Sequence, residues 1–187
     1  MYQNDTIKTL ADAREFFKQK AYPEALEICQ TLLERNGAQP DVLTLQALVH
    51  KQSGNLEAAG KSMEQALEQA PDNPGMLFTA SLINRQLENF DLAKMQALKA
   101  AREAPDNPQI ICQCALIVGN LGEPEGALKL LEKFIDRNKT QPEPWYLVGK
   151  FQHGLANDQA AEFALRKCLA LKPDHATAQK LLDAIAA

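Results

Sequence analysis

Long apolar runs are missing from this 187-residue chain. The longest, Ile110 to Val118, is interrupted by Gln113, and a bilayer needs about 20 apolar residues in succession. Basic runs are missing too. The 20 Lys and Arg are dispersed among 24 Asp and Glu, which leaves a formal charge of −4. That is the wrong sign for a surface that must neutralise phosphates or anionic lipid, so neither nucleic acid nor a membrane is an expected partner. The four cysteines form no disulfide framework and no metal clip, which points to a reducing, cytoplasmic compartment. The opening Met-Tyr-Gln-Asn-Asp-Thr-Ile-Lys is polar and has no cleavage-like stretch, so it does not read as a signal peptide.

Catalytic chemistry is equally sparse. No glycine-rich phosphate loop appears; Gly119, Gly122 and Gly126 cluster around an expected inter-helix turn. A nucleophile needs a base and a metal needs convergent ligands, yet the three histidines fall in unlike places. His50 takes an inner-face position of one helix, His153 lies near the end of another, and His175 falls in a turn. Cys29, Cys114 and Cys168 take positions that call for a buried small or medium apolar residue. Cys112 stands two residues from Cys114, points to another side of its helix, and is expected to be accessible. The expectation is a non-catalytic protein with no metal site and no cofactor.

What the chain does have is alanine, leucine and a repeat. Aromatic residues make up only 6% of it, and the abundant alanine and leucine favour helices. Self-similarity recurs every 34 residues with no gap or insertion from Thr6 to His175. The clearest column is Ala25, Ala59, Ala93, Ala127 and Ala161. A second holds Ala13, Ala47, Ser81, Ala115 and Gly149; a third holds Pro71, Pro105 and Pro173, with Gly37 and Lys139 in the other two places. The units are therefore 6–39, 40–73, 74–107, 108–141 and 142–175, within a single domain covering 1–187.

Each unit reads as two helices. In the second, Pro40 opens the first helix and Asp41 suits its positive end. Leu43, Ala47 and His50 share a face at helical spacing, and Ser53-Gly54-Asn55 breaks the run, with glycine available for a left-handed residue. Leu56, Ala59, Met63, Ala66 and Leu67 then form the inner face of the second helix, which Ala70-Pro71-Asp72-Asn73 stops. Small residues recur because two antiparallel helices approach closely only where one lacks a bulky side chain. After the fifth unit, Ala178, Leu181, Leu182 and Ile185 give residues 176–187 one apolar face, as expected of a helix capping the array.

This register resembles the tetratricopeptide repeat family, whose pattern is a large residue, Leu-Gly and Tyr in the first helix, then Ala, Phe, Ala and Pro through the second. Trp145, Val148-Gly149, Ala161, Leu165 and Pro173 fill the family's Trp, Leu-Gly, Ala, Phe and Pro places. Gln152 and Cys168 depart from it, and the first unit, with Thr9 and Gly37, matches least. The resemblance implies an all-α fold, a right-handed superhelical solenoid of antiparallel helix pairs, whose concave side binds a peptide or helix of a partner protein.

In the family, the groove draws on particular places of each unit. The ninth place here holds Arg14, Leu48, Leu82, Leu116 and Lys150; the fifth holds Leu10, Thr44, Phe78, Cys112 and Tyr146; the twelfth holds Phe17, Lys51, Arg85, Gly119 and His153. The implied groove residues are thus Leu48, Lys51, Phe78, Leu82, Arg85, Cys112, Leu116, Tyr146 and Lys150. Leucine stands in three units where family members that grip acidic chaperone tails place Asn, so no carboxylate clamp of that kind is expected. The implied role is that of an adaptor or co-chaperone-like scaffold whose partner offers apolar anchors and some acidic residues. The alternatives are a docking region of a larger enzyme such as a transferase, or an assembly subunit that meets its own copy as a homodimer.

Overall fold

A computed structural model of the chain describes residues 8–186; Thr6, Ile7 and Ala187, assigned above to the first repeat and the cap, lie outside them. The described residues form eleven α-helices and no strand. They are α1 (Leu10–Lys18), α2 (Tyr22–Asn36), α3 (Pro40–Gln52), α4 (Leu56–Gln69), α5 (Pro74–Gln86), α6 (Phe90–Glu103), α7 (Pro108–Asn120), α8 (Pro124–Arg137), α9 (Pro142–Gly154), α10 (Asp158–Leu171) and α11 (Ala176–Ala186). They divide into two compact units, one ending at Ala93 and one beginning at Lys94, and each is described by itself.

Helix starts follow local chemistry. Pro40, Pro74, Pro108 and Pro142 each open a helix, where the missing N–H is one that would find no intrahelical acceptor. Asn73 and Asn107 cap α5 and α7 by accepting from the backbone N–H of Met76 and of Gln109 and Ile110. Thr9 and Asp12 cap α1 reciprocally: the Thr9 hydroxyl accepts from the Asp12 N–H, and the Asp12 carboxylate accepts from the Thr9 N–H at 2.7 Å. Those bonds hold the Asp12 carboxyl below its ordinary pKa.

The reversal between the helices of each pair is the same five times over. Lys20, Gly54, Glu88, Gly122 and Ala156, 34 residues apart, all adopt positive φ, between 59° and 88°. At Gly54, its N–H donates to the Lys51 carbonyl and the Asn55 N–H donates back to His50. The same pair of bonds recurs at the other four turns, so orphan carbonyls at each first helix's end are satisfied by a Schellman turn. The left-handed position is thus demanded by the fold and not by glycine, which occupies two of its five occurrences.

In the first unit, α3 packs against α1, α2, α4 and α5, whereas α4 packs against α3 and α5. One side of α3 joins Leu43 and Ala47 to Ala59, Met63 and Ala66 of α4 and to Met76, Ala80 and Ile83 of α5. Its other side sends Val42, Leu45 and Val49 into a core with Ala13, Ala25, Ile28, Cys29 and Leu32. A first helix is therefore buried on two sides, where the spacing of Leu43, Ala47 and His50 indicates one. Two buried hydroxyls find partners: Ser62 donates to the Gln46 amide oxygen at 3.1 Å, and Ser81 donates to the Phe78 carbonyl at 2.6 Å.

The second unit repeats the arrangement. Here α9 packs against α7, α8, α10 and α11, and Phe134, Leu131, Leu147 and Leu165 are fully buried. Helix α11 lays Ala178, Leu181, Leu182 and Ile185 over Leu165, Cys168, Trp145 and Tyr146. The His175 ring accepts from the Ala178 N–H through Nδ1, and its Nε2 lies 3.1 Å from a Glu143 carboxylate oxygen.

Two kinds of glycine follow, with different costs. A Cβ on Gly54 would meet nothing within 4 Å, so Gly54→Ala costs only left-handed strain, about 1–2 kcal/mol. A Cβ on Gly149 would stand 2.7 Å from Leu165 and 3.2 Å from the Ala161 carbonyl oxygen, so Gly149→Ala costs about 1–3 kcal/mol through overpacking. Ala156→Gly is expected to stabilise by roughly 0.5–1 kcal/mol, because strain relief exceeds the entropy glycine adds to the unfolded chain. Urea unfolding of the three variants checks this; a destabilised Ala156→Gly would contradict the left-handed turn.

Candidate functional site

The residues singled out as a partner-binding stripe all lie on first helices. In the first unit, α3 carries Leu48 and Lys51, and α5 carries Phe78, Leu82 and Arg85; all five are half-buried. Each stands between positions committed to the two cores, which is why it is neither fully covered nor free. Arg85 has a further property. Its Nε is buried and has no hydrogen-bond partner, although an unsatisfied buried donor costs on the order of 1–3 kcal/mol.

In the second unit, α7 and α9 carry the equivalent residues, with different outcomes. Leu116 is half-buried and Lys150 is exposed. Tyr146 is half-buried and packs against the core under α11, its ring 4.9 Å from that of His175. Cys112 corrects the expectation of an accessible thiol, since it is only 4% exposed. Cys112 and Cys114 do point to different sides of α7, but both sides of a first helix are interior. Gly119 matters through what it lacks: a Cβ there would run into the Phe151 ring, so α9 fills the space a side chain would take.

All four cysteines are free and buried. Burial pushes the Cys112 and Cys114 thiols up to about 12, with the Glu143 carboxylate adding to the effect on Cys112. Burial likewise pushes Cys29 and Cys168 up to about 11. Such thiols pack as small hydrophobes and are poor nucleophiles. His50 is half-buried, and burial lowers its pKa, which keeps the imidazole neutral beside the core. Among the described residues, no group of three or more His, Cys, Asp or Glu is placed to hold a metal. No described helix is long and apolar enough to cross a membrane.

Sequence reasoning missed the surfaces between second helices. A cleft of about 470 Å³ lies between α6 and α8, with Leu98, Ala101, Pro105, Ile111 and Leu130 among its apolar walls. A smaller one, about 290 Å³, is lined by Trp145 and Phe163 together with Glu132 and Asp136. The available signal was a large apolar residue where the repeat leaves a solvated face, as at Leu98 and Phe163, which are 36% and 58% exposed.

Helix pairs joined by Schellman turns, crossing at small residues and presenting a half-open stripe on their first helices, define a helical-repeat scaffold for protein interaction. Tetratricopeptide repeat models match residues 44–108 and 142–175, together more than half of the sequence, and the chain belongs to the tetratricopeptide repeat family. Its fold is similar to that of YrrB, described as a TPR protein with an unusual peptide-binding site, at 18% identity over 91% of this chain and 88% of that one (TM-score 0.71). It is also similar to MamA, at 13% identity over 95% and 99% (TM-score 0.74). The C-terminal part of a TPR repeat-containing protein from Cytophaga hutchinsonii matches at 19% identity over 95% and 70% (TM-score 0.77). No curated protein sequence matches the chain.

The thiols supply a prediction with a definite sign. In the unfolded chain they ionise near the ordinary 9.0, whereas the folded chain holds their protons to about 11 or 12. The unfolded state therefore binds fewer protons above pH 9, and stability falls as pH rises from there. Urea midpoints should decline between about pH 9 and 11, and less steeply in a Cys112→Ala/Cys114→Ala variant than in the parent. Equal slopes would show that the thiols do not contribute. Ellman's reagent should likewise react with the four cysteines only as the chain unfolds.

Proposed function

We propose that the chain is an adaptor that holds a peptide or helix of a partner protein against the half-buried stripes of its first helices. Leu48, Phe78, Leu82 and Leu116 serve as apolar anchors, while Lys51, Arg85 and Lys150 select acidic residues on the partner. The observation that carries the reading is the buried, unsatisfied Nε of Arg85. An acceptor from a partner that displaces the atoms now covering Nε would remove that penalty and form a charge-assisted bond in a partly desolvated place, where such bonds are strong. Large half-buried side chains at one register of successive first helices add support, since binding energy concentrates in a few central anchors ringed by covered neighbours. YrrB, a protein of similar fold, is described as having a peptide-binding site, which supports a peptide as the ligand. The four unpaired cysteines fit a cytoplasmic setting.

Tyr146 and Cys112 drop to supporting roles in this reading. Tyr146 already packs beneath α11, and Cys112 reaches the stripe only as part of its floor.

The test is affinity capture with wild type and a Leu82→Glu/Leu116→Glu variant, bound proteins being identified by mass spectrometry. Circular dichroism and thermal melting run alongside to show that the variant folds. A protein held by wild type should be lost by the folded variant, as expected when central anchors worth about 2 kcal/mol or more are removed. Arg85→Met, which removes the orphan donor but keeps apolar bulk, should weaken the same partner while leaving stability equal or higher. Retention of the same proteins by both variants would move the site away from the first helices.

A further inference from the structure

The cleft between α6 and α8 differs in charge from the rest of the chain. Three of its cations, Lys129, Lys133 and Arg137, follow one another at one-turn spacing along α8, and Arg102 faces them from α6. No carboxylate lines it, although acidic residues outnumber basic ones in the chain as a whole. Like charges at this spacing repel one another, a cost offset in part at the C-terminal end of α8, where Arg137 suits the helix dipole. Arg137 is committed internally: it ion-pairs with Asp106 at 3.6 Å and donates to the Pro105 carbonyl at 3.3 Å, tying α8 to the end of α6. Arg102, Lys129 and Lys133 make no ion pair among the described residues. Between the cations lies an apolar floor, with Leu98 36% exposed and Leu130 half-buried. At Gly126 the backbone itself borders the cleft, and a Cβ there would meet Val118 and Glu123 rather than open space.

We propose that this cleft is a second docking site, separate from the first-helix stripes, for an acidic amphipathic segment of a partner protein. One or two apolar side chains of that segment enter between Leu98 and Leu130. Its Asp or Glu residues meet Arg102, Lys129 and Lys133. The floor disfavours a nucleic acid backbone, which has no apolar group to bury there, and a volume of about 470 Å³ falls within the usual size of ligand clefts. Electrostatic attraction from three uncommitted cations speeds and selects the encounter, and the buried apolar anchor sets its lifetime.

Selection from a display library of 12-residue random peptides tests the assignment, using the whole chain as bait. Parallel selections use a Lys129→Glu/Lys133→Glu variant and the Leu82→Glu/Leu116→Glu variant. Lys129 and Lys133 are exposed, so the first variant should fold; Lys129→Gln/Lys133→Gln replaces it if melting shows otherwise. The expected result is a class of peptides combining Asp or Glu with Leu, Ile or Phe. That class should be enriched on wild type and on the Leu82/Leu116 variant, and should bind the lysine variant roughly tenfold more weakly or worse, with the loss reproduced by added salt. Absence of such a class, or acidic peptides indifferent to Lys129 and Lys133, would overturn it. Selected basic or charge-free peptides, or self-association of the bait that the lysine variant abolishes, would assign the cleft to a different occupant and equally overturn it. Failure of the first-helix reading alone would instead appear as a capture result unchanged by Leu82→Glu/Leu116→Glu, while the acidic peptide class remained.

Discussion

Everything in each helix pair depends on two small residues meeting where its helices cross. Ala13 and Ala25, Ala47 and Ala59, Ser81 and Ala93, and Ala115 and Ala127 have no exposed surface at all. At the fifth crossing even a methyl group is too much: Gly149 lies directly against Leu165 and the Ala161 carbonyl. Interiors are packed as densely as organic crystals, so the spacing between two helices is set by the smallest side chains between them. Larger residues above and below that point, such as Met63, Phe134 and Leu165, then interlock because the backbones are already close. The alanine column is the geometric condition for the core around it.

A close crossing requires a tight reversal, and the Schellman turn provides one. Its left-handed residue is glycine only at Gly54 and Gly122; Lys20, Glu88 and Ala156 adopt the same conformation at some cost. That cost is tolerated because the alternative is worse. Without the turn, two carbonyls at the end of a helix would lose their donors, and the second helix would leave at another angle and miss the small-residue contact. Local strain of about 1–2 kcal/mol per site is outweighed by the packing of an entire pair.

Much of this was legible in the sequence, and the limits are instructive. The 34-residue register, the prolines that open α3, α5, α7 and α9, and the buried places of Ala59, Cys29 and Cys168 could all be read from periodicity. The second buried side of each first helix could not. Val42, Leu45 and Val49 do not fall on the face marked by Leu43 and Ala47, and a helix covered twice loses the polar-apolar alternation that reveals a single face. Cys112 was misjudged for that reason. The left-handed turns at Lys20, Glu88 and Ala156 were hidden because those residues carry no turn signal, and only their register with Gly54 exposes them. The cleft beside α8 was hidden in another way. Lys129, Lys133 and Arg137 read as an ordinary solvated face until Leu98 and Leu130 are seen to floor the space between two helices.

The unequal burial of first and second helices also divides the surface into two chemistries. A first helix such as α3 or α9 is packed against four others, while α8 leaves Glu125, Lys129, Glu132, Lys133, Asp136 and Arg137 exposed. Covered on both sides, a first helix can offer a ligand only a narrow stripe, and residues there are half-buried before anything binds. Such positions suit preorganised anchors, because a side chain already held by its neighbours loses little freedom on binding. A second helix keeps a broad solvated face, so its contribution is charge spread over several turns, with apolar contact limited to the seam beside its neighbour. Arg85 and Lys133 mark the two cases. The first is a half-buried cation, one of whose donors, Nε, is buried and lacks an acceptor; the second remains hydrated and acts over a distance. Binding at the first should therefore resist salt, because the bond forms where ions scarcely reach, while binding at the second should weaken steadily as the Debye length shrinks. Salt dependence follows from helix burial, and it separates the two surfaces whatever partner each one meets.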